Sequence, residues 1–586
     1  MTIRPATLSA ENPATRRAET PVLIIGAGPV GLISAMDLAW RGIPSIVVEQ
    51  RYPGEPPPVK CNHVSARSME IFRRLGFADR VRDAGLPHDY PNDVVFLNTA
   101  TGYELDRIPI PSRDERRLPP SDRFPDSAWP TAEPPHRINQ IYLEPILFDE
   151  ASHRDLVTIL NRTRLVDFAQ DEDGVSATVL DLDTGETGEI RARYMIACDG
   201  GRSGVRKKLG ISLVGTAEIG RYLSTHIRAP ALLGMISHRR PGWMNHACNE
   251  RRTGNAVAID GREHWLIHCH LKPNEKEFSE VDRDRAIRDV LGVDDSFEYE
   301  VLSKEDWIAR RLVAERFRDG RVFLCGDAAH IWIPVAGYGM NAGIADATNL
   351  TFMLAAHLNG WGSADMLDAY ELERHPITEQ LSRFVGGLGT KLVRERAAYG
   401  PLLDAPGPEG DAVRAQTGRL MVDMNTAQYC CAGLNFAYFY DNSPLIAYDG
   451  EVPPPYTLGQ YTPSTAPGVR APHVRLAGGR TLYDALGKDY TLLRFEPSLE
   501  VGPLLAAAQT AGLPLDVLDV QSADAASLYR HKLLICRSDQ HIAWRGNSVP
   551  EDCAALVEKL AGRDKADFAR RWEKHERPAA DPVSVD

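Results

Sequence analysis

The chain has 586 residues, a formal net charge of −13, 43% hydrophobic and 25% charged residues. This composition excludes a disordered or fibrous chain, and the length suggests about three or four domains. The acidic balance argues against a nucleic-acid partner, and nine cysteines with no CxxC spacing argue against a zinc ribbon or a dithiol redox site and fit a reducing compartment.

Residues 1–20 are polar, and the apolar run 22–39 is interrupted by Gly26, Gly28, Pro29, Gly31 and Asp37. That pattern predicts strand–turn–helix rather than a signal peptide or membrane span. A cytoplasmic protein without membrane association is the expectation. Residues 22–26 form a short β-branched run typical of a buried parallel strand, followed by a helix to about Arg41 that Gly42 caps. A second parallel strand is predicted at 45–49, then a proline-rich loop at 53–58 and a helix at 65–75 closed by Gly76. Residues 108–136, rich in proline and charge, read as a surface excursion, and a helix resumes from 137. Residues 174–197 alternate as antiparallel strands, strands are predicted at 255–260 and 264–271, and 321–325 is another buried strand. A glycine-punctuated loop leads to a helix at about 343–358. Helical sequence continues from 364 to 425, residues 451–473 form a proline-rich seam, and 474–562 look like a separate small α/β unit.

Three motifs carry chemistry. Gly26-x-Gly28-x-x-Gly31 lies between a strand and a helix, with Glu49 at the end of the next strand and Gln50 and Arg51 behind it. Glycines there permit a tight turn and close approach of a pyrophosphate to the helix N-terminus, where Pro29 begins the helix, and the carboxylate suits a ribose. The unit predicts dinucleotide binding without separating FAD from NAD. Second, Gly326-Asp327 follows the strand 321–325 and continues through His330, Pro334, Gly337, Gly339, Met340 and Asn341. The aspartate suits a ribityl hydroxyl, and backbone N–H groups near a helix start suit a flavin ring. Third, Asp199 opens the turn Asp199-Gly200-Gly201-Arg202-Ser203, which taken alone is a turn and helix cap.

In this order and spacing the motifs resemble those of the class A flavin aromatic hydroxylases that share the p-hydroxybenzoate hydroxylase fold. Arg67-Ser68-Met69-Glu70, Gln140 with Glu144, and Tyr370 with Glu373, Arg374 and Pro376 extend the likeness. Ala471-Pro472-His473, Leu482-Tyr483-Asp484, Asp539 and Ala543-Trp544-Arg545-Gly546 resemble the phenol hydroxylase-like subgroup. The resemblance implies an α/β fold: a GR2-type Rossmann-like FAD-binding domain (1–90, 137–214 and 315–400) interleaved with a mixed-sheet substrate domain (91–136 and 215–314). A helical connection (401–473) and a C-terminal thioredoxin-like α/β domain (474–586) would complete it. That last domain has no redox CxxC, so a structural or dimerising role is expected, in a homodimer. Where the family has Pro-Arg-Ala, this chain has Val59-Lys60-Cys61, which keeps the charge without the planar fork.

The resemblance implies non-covalent FAD, NADPH or NADH as co-substrate, and oxygen transfer from a flavin C4a-hydroperoxide to an electron-rich ring carbon of a small aromatic substrate. It assigns cofactor contacts to Gly26, Gly28, Pro29, Gly31, Glu49, Gln50, Arg51, Lys60, Arg67, Gln140, Asp199, Gly326, Asp327, Pro334, Gly337, Gly339, Met340 and Asn341. Pro334 also belongs to the catalytic candidates. The strand 264–271 carries His264, Leu266, His268 and His270 on one face, and the resemblance puts the phenol partner at His268, with Asn62 as a second candidate. A surface or structural histidine is the plain alternative. Tyr222, Met235, His246 and His270 are pocket candidates by location. No metal site is expected. Baeyer–Villiger or epoxidising chemistry on a polycyclic polyketide stays open, as does a flavin-binding protein without turnover.

Overall fold

The computed structural model describes residues 17–60, 62–396 and 400–576. Cys61 of the Val59-Lys60-Cys61 stretch and both ends of the chain lie outside the described residues.

The β-branched run 22–25 is almost fully buried because it lies between two parallel neighbours. Ile24 pairs with Val47 of the strand Ser45–Val48 on one side and with Ile196 of the strand Thr187–Ala197 on the other. The strands Val322–Leu324 and Val157–Leu160 extend this parallel array at either side. The antiparallel strands Thr163–Gln170 and Val175–Asp181 complete an eight-stranded sheet with the short strand Arg318–Asp319 at its edge. The helices Pro29–Trp40 and Gly339–Leu358 pack together against it. The predicted hairpin at 174–197 is present, and Thr163–Gln170 adds a strand beside it.

A nine-stranded mixed sheet follows the order 330–332, 307–314, 213–228, 264–270, 254–258, 244–247, 94–97 and 104–108, with 300–304 paired beside 213–228. Trp265, Ile267 and Cys269 are buried on one face, which packs under the helix Arg283–Leu291. The other face carries polar and aromatic side chains. The chain leaves the first sheet at Leu324 and enters the second at His330, so the Gly326-Asp327 motif sits at the junction of the two.

Two expectations shift. The helix predicted at 343–358 begins four residues earlier, at Gly339, and its first turn packs closely at Gly343, where a Cβ would stand 2.7 Å from Val30. The seam 451–473 has no regular element, yet Ala466, Arg470 and Ala471 are buried, so its end is packed rather than a free linker.

The last unit is a four-stranded sheet in the order 515–519, 490–494, 533–537, 542–546. It docks on the first unit through buried charges. Arg470 is paired with Glu70 at 2.7 Å, and Arg537 grips Glu373 through two hydrogen bonds of 2.6 and 3.0 Å. Such pairs are costly to form and costlier to break singly, so they fix one docking geometry. Among the described residues no helix is long and apolar enough to cross a membrane.

Candidate active site

Gly26 has φ +105°, and a Cβ there would stand 2.5 Å from the Cys198 carbonyl oxygen; a Cβ on Gly31 would stand 2.0 Å from the Gly26 oxygen. Both glycines are therefore required by the turn. A Cβ on Gly28 would meet nothing within 4 Å. The helix Pro29–Trp40 begins there with no side-chain cap and no acidic residue in its first turn. Uncapped N–H groups of a first helical turn, with the space open at Gly28, make an anion site.

Glu49 closes this turn. Its Oε2 accepts the Ala27 N–H at 2.8 Å and its Oε1 accepts the Arg51 N–H at 3.0 Å. Burial pushes the carboxyl pKa up, but these bonds and the Arg51 guanidinium outweigh it and hold the group below its ordinary value. Arg51 also pairs with Glu144 at 2.9 Å, and Glu144 accepts from Gln140 at the start of the helix Gln140–Ser152. Sequence-distant residues 49, 51, 140 and 144 thus form one polar chain beside the glycine turn. Gln50 next to them is exposed.

On the opposite wall, Asp327 is exposed between buried Gly326 and Ala328. The enclosing protein nevertheless raises its carboxyl above the ordinary value, against the influence of His330 and Lys60. A group that water reaches but protein surrounds lies on a crevice wall. Asp199 accepts the Val205 N–H with Oδ2 at 3.2 Å, while its buried Oδ1 has no partner among the described residues.

The loop from Pro334 to Asn341 is shaped by consecutive positive φ angles, +62° at Ala336 and +61° at Gly337. For alanine this conformation costs about 1–2 kcal/mol, a strain typical of functional loops. Pro334 is exposed. The helix then begins at Gly339 and Met340 with no side-chain cap, and a Cβ on Gly339 would meet nothing within 4 Å. Asn341 is saturated: Oδ1 accepts from Ser65 N (2.8 Å) and Ser68 Oγ (2.7 Å), and Nδ2 donates to His63 O (3.1 Å) and Gly337 O (2.7 Å). Its side chain braces two loops, leaving only its backbone for a cofactor. Behind the loop, buried His330, Asp346 and Arg374 form a chain with bonds of 2.7 Å each. The uncapped helix starts, the orphaned Asp199 oxygen and the crevice-facing Asp327 fit an extended dinucleotide such as FAD.

Above this crevice lies the polar face of the second sheet. Strand register puts Phe96, His246, Asn255, His268 and Ser224 in one row across five strands. Trp307, Tyr222 and His270 form the next row. Tyr222 stacks on Trp307 at 4.1 Å and meets His270 edge-on at 4.7 Å. It also shares an apolar cluster with Ile333, the residue before Pro334, so the substrate-sheet wall adjoins the flavin loop. Burial lowers the His268 pKa to about 4, and its Nδ1 has no partner among the described residues. His268 is therefore a neutral imidazole near neutral pH, a weaker base than the sequence alone suggested. His246 Nε2 lies 2.6 Å from the Tyr429 hydroxyl.

Several candidates stand elsewhere. Asn62 accepts from Asn139 at the head of the 140–152 helix. Lys60 pairs with Glu305 at 2.7 Å, bridging the two sheets' loops at the surface. Arg67 turns away from the glycine turn, donating to the Asp539 carbonyl at 3.0 Å and lying over Tyr438 at 4.6 Å. Met235 is 42% exposed on the helix Pro230–Ile236, whose inward residues are Leu232 and Ile236, so it does not converge with the other pocket candidates. Sequence reading missed Trp307, Tyr429, Asn255 and Arg137. Trp307 was visible as the start of an alternating strand, but Tyr429 and Arg137 reach the sheet from distant segments and leave no local signal. A cavity of about 350 Å³ lined by Glu19, Ser45 and Arg191 lies at the amino ends of the parallel strands. Ligands of open α/β sheets bind at the carboxyl ends, where the motif residues are.

The FAD binding domain family matches residues 19–385. Tetracenomycin B2 monooxygenase-dioxygenase of Streptomyces olivaceus is 31% identical, covering 93% of this chain and 99% of that protein. Phenol 2-monooxygenase of a Pseudomonas species is 29% identical, covering 94% and 93%. The structure of the rebeccamycin biosynthetic enzyme RebC with reduced flavin superposes with a TM-score of 0.83 at 32% identity, covering 93% of this chain and 99% of that one.

Proposed function

We propose, from the premise that this chain belongs to the FAD binding domain family and is an FAD-dependent monooxygenase, that it hydroxylates a phenolic or otherwise electron-rich aromatic substrate with O2 and NADPH or NADH. The observation that carries this reading is the contact between the aromatic wall of Tyr222 and Trp307 and the Ile333–Pro334 end of the flavin loop. A flat ring held on that wall lies beside the cofactor site.

Bound non-covalently, FAD supplies the oxygen-activating redox chemistry that no side chain provides. Gly26, Gly28, Pro29 and Gly31 would hold its pyrophosphate, and Glu49, braced by Arg51, its adenosine ribose. Asp327 and Asp199 would hold ribityl oxygens, and the backbone from Pro334 to Met340 the flavin ring. Tyr222, Trp307 and His270 exclude water from the substrate ring. His268, neutral in its row, would accept a hydrogen bond from the substrate hydroxyl at Nε2, the ring nitrogen that is not sealed in the core, and so draw electron density into the ring. Lys60 at the crevice mouth offers a cation to the nicotinamide co-substrate.

The supporting reading of the remainder is a thioredoxin-like unit at 474–586, with one parallel and two antiparallel strand pairs, in a cytoplasmic homodimer. Aromatic kinship among the relatives extends from a phenol 2-monooxygenase to tetracenomycin enzymes. A panel of phenols, naphthols and polycyclic quinones tests the function: a true substrate accelerates NAD(P)H oxidation by the FAD-loaded protein and yields a hydroxylated product. A ring-expanded lactone or an epoxide in place of the hydroxylated product overturns the hydroxylase reading.

A further inference from the structure

Arg137 stands out among the buried cations. It is 6% exposed, and it comes directly before the helix that carries Gln140. Most other deeply buried guanidinium groups have carboxylate partners, as Arg470 has Glu70, Arg537 has Glu373, Arg374 has Asp346 and Arg41 has Asp37, while Arg206 and Arg67 donate to backbone carbonyls instead. Arg137 has no carboxylate within ion-pair distance among the described residues. The acid that influences it, Asp126, is bonded to Arg116 at 2.6 Å.

None of its neighbours carries a negative charge. One N–H donates to His63 Nδ1 at 2.6 Å, and the guanidinium lies over the Trp243 ring at 4.2 Å. Burial, with the adjacent Arg137 charge, holds His63 neutral, well below its ordinary pKa. The other guanidinium N–H groups have no acceptor among the described residues, and they are absent from the sealed, unpartnered atoms of the core. A buried guanidinium without a counter-ion is expensive, more so than one stacked tryptophan offsets.

The place is as informative as the chemistry. His63 packs against Gly337 of the flavin loop, and its carbonyl is held by Asn341. Trp243 leads into the strand of His246 and meets Tyr429 edge-on at 6.2 Å. Arg137 therefore sits between the flavin loop and the polar sheet face, where the substrate ring is proposed to lie.

We propose that Arg137 receives an oxyanion of the substrate, a carboxylate or an ionised ring hydroxyl, so that the enzyme selects aromatic anions over neutral rings. The inference rests on the aromatic-substrate reading above. Its test uses the FAD-loaded full chain and reads ligand dissociation constants from the flavin absorbance change. One pair of probes is 1-hydroxy-2-naphthoate and its methyl ester; a second is 4-nitrophenolate and 4-nitroanisole. We expect at least one anion to bind roughly 10- to 100-fold more tightly than its neutral partner, the range of a charge-assisted bond. The pair that shows the preference identifies the oxyanion. Arg137→Met should abolish the preference and Arg137→Lys should keep part of it. Equal binding of both members of both pairs by the unmodified protein overturns the inference whether or not the variants fold. So does a preference that survives Arg137→Met. If no aromatic probe binds, the aromatic reading and this inference fall together; if acids and esters bind alike, only this inference falls.

Discussion

The Asn341 side chain holds the backbone of His63, 278 positions away, through an Nδ2–O bond of 3.1 Å, while its Oδ1 takes the Ser65 N–H at 2.8 Å. The loop ahead of the helix Ala66–Leu75 and the loop ahead of the helix Gly339–Leu358 are thereby one unit. Because Ser68 and Gly337 complete the set, Asn341→Ala removes four hydrogen bonds and leaves buried groups unpaired. At about 1 kcal/mol net for each bond, the loss should be on the order of 2–4 kcal/mol. Denaturant unfolding checks the stability, and flavin content after gel filtration should fall with it.

Asp327→Ala should weaken FAD retention without unfolding the chain, since Asp327 is exposed on the crevice wall. A charged acceptor lost from a ribityl hydroxyl is worth about 1.5–3 kcal/mol. Fluorescence titration of the apoprotein with FAD reads it; an unchanged dissociation constant would remove Asp327 from the cofactor site.

His268→Ala should slow hydroxylation by roughly 10²–10⁴, with flavin content intact and more NAD(P)H diverted to hydrogen peroxide. With its pKa lowered to about 4 by burial, His268 stays neutral through the mildly acidic range. The rate should then show no inflection near 6.5 that vanishes in the variant. Loss of FAD in the variant would point to a packing role instead.

Acid should destabilise the protein over a defined window. His268, His473 and His541 all have pKa values lowered by burial from 6.5 to about 4. The unfolded chain binds these protons first, so their contribution is complete above pH 6.5 and is lost as pH falls toward 4. Urea midpoints measured between pH 7.5 and 4.5 should drop across that interval; a flat profile would contradict the buried, neutral state of these rings.

Arg537→Met should cost about 3–5 kcal/mol by leaving Glu373 buried without its cation. Glu373 also accepts from Asn349 of the 339–358 helix at 2.6 Å, so flavin retention should weaken as well. Thermal melts of the FAD-loaded variant separate this from a loosely tethered C-terminal unit, whose loss would leave the flavin signal untouched. Cys536 is fully buried and its pKa pushed up, so the same unit should show no insulin-disulfide reduction.

Local patterns made the glycine turn, Glu49, the Gly326-Asp327 motif and the strand 264–270 legible, because each depends on spacing within one segment. The two-sheet layout followed from the resemblance rather than from periodicity. What sequence spacing did not reveal depends on contacts between distant segments. The motif assigns Arg67 to the cofactor, but only the folded chain shows that one of its N–H groups donates to the Asp539 carbonyl, 472 positions later. Asn341 looked like a flavin contact although its side chain is consumed by residues 63 to 68. Met235 faces outward because Leu232 and Ile236 of the same helix take the inner positions. The basicity of His268 was overestimated because burial is a property of the folded sheet.

The central claim, oxygen transfer to an aromatic ring, is tested most directly by turnover under 18O2. With an accepted phenolic substrate, the account predicts one 18O atom per product molecule and one NAD(P)H consumed for each. Flavin released by acid from the same protein should be FAD. Product without label, or NAD(P)H oxidation that ends wholly in hydrogen peroxide with every aromatic substrate in the panel, would contradict it.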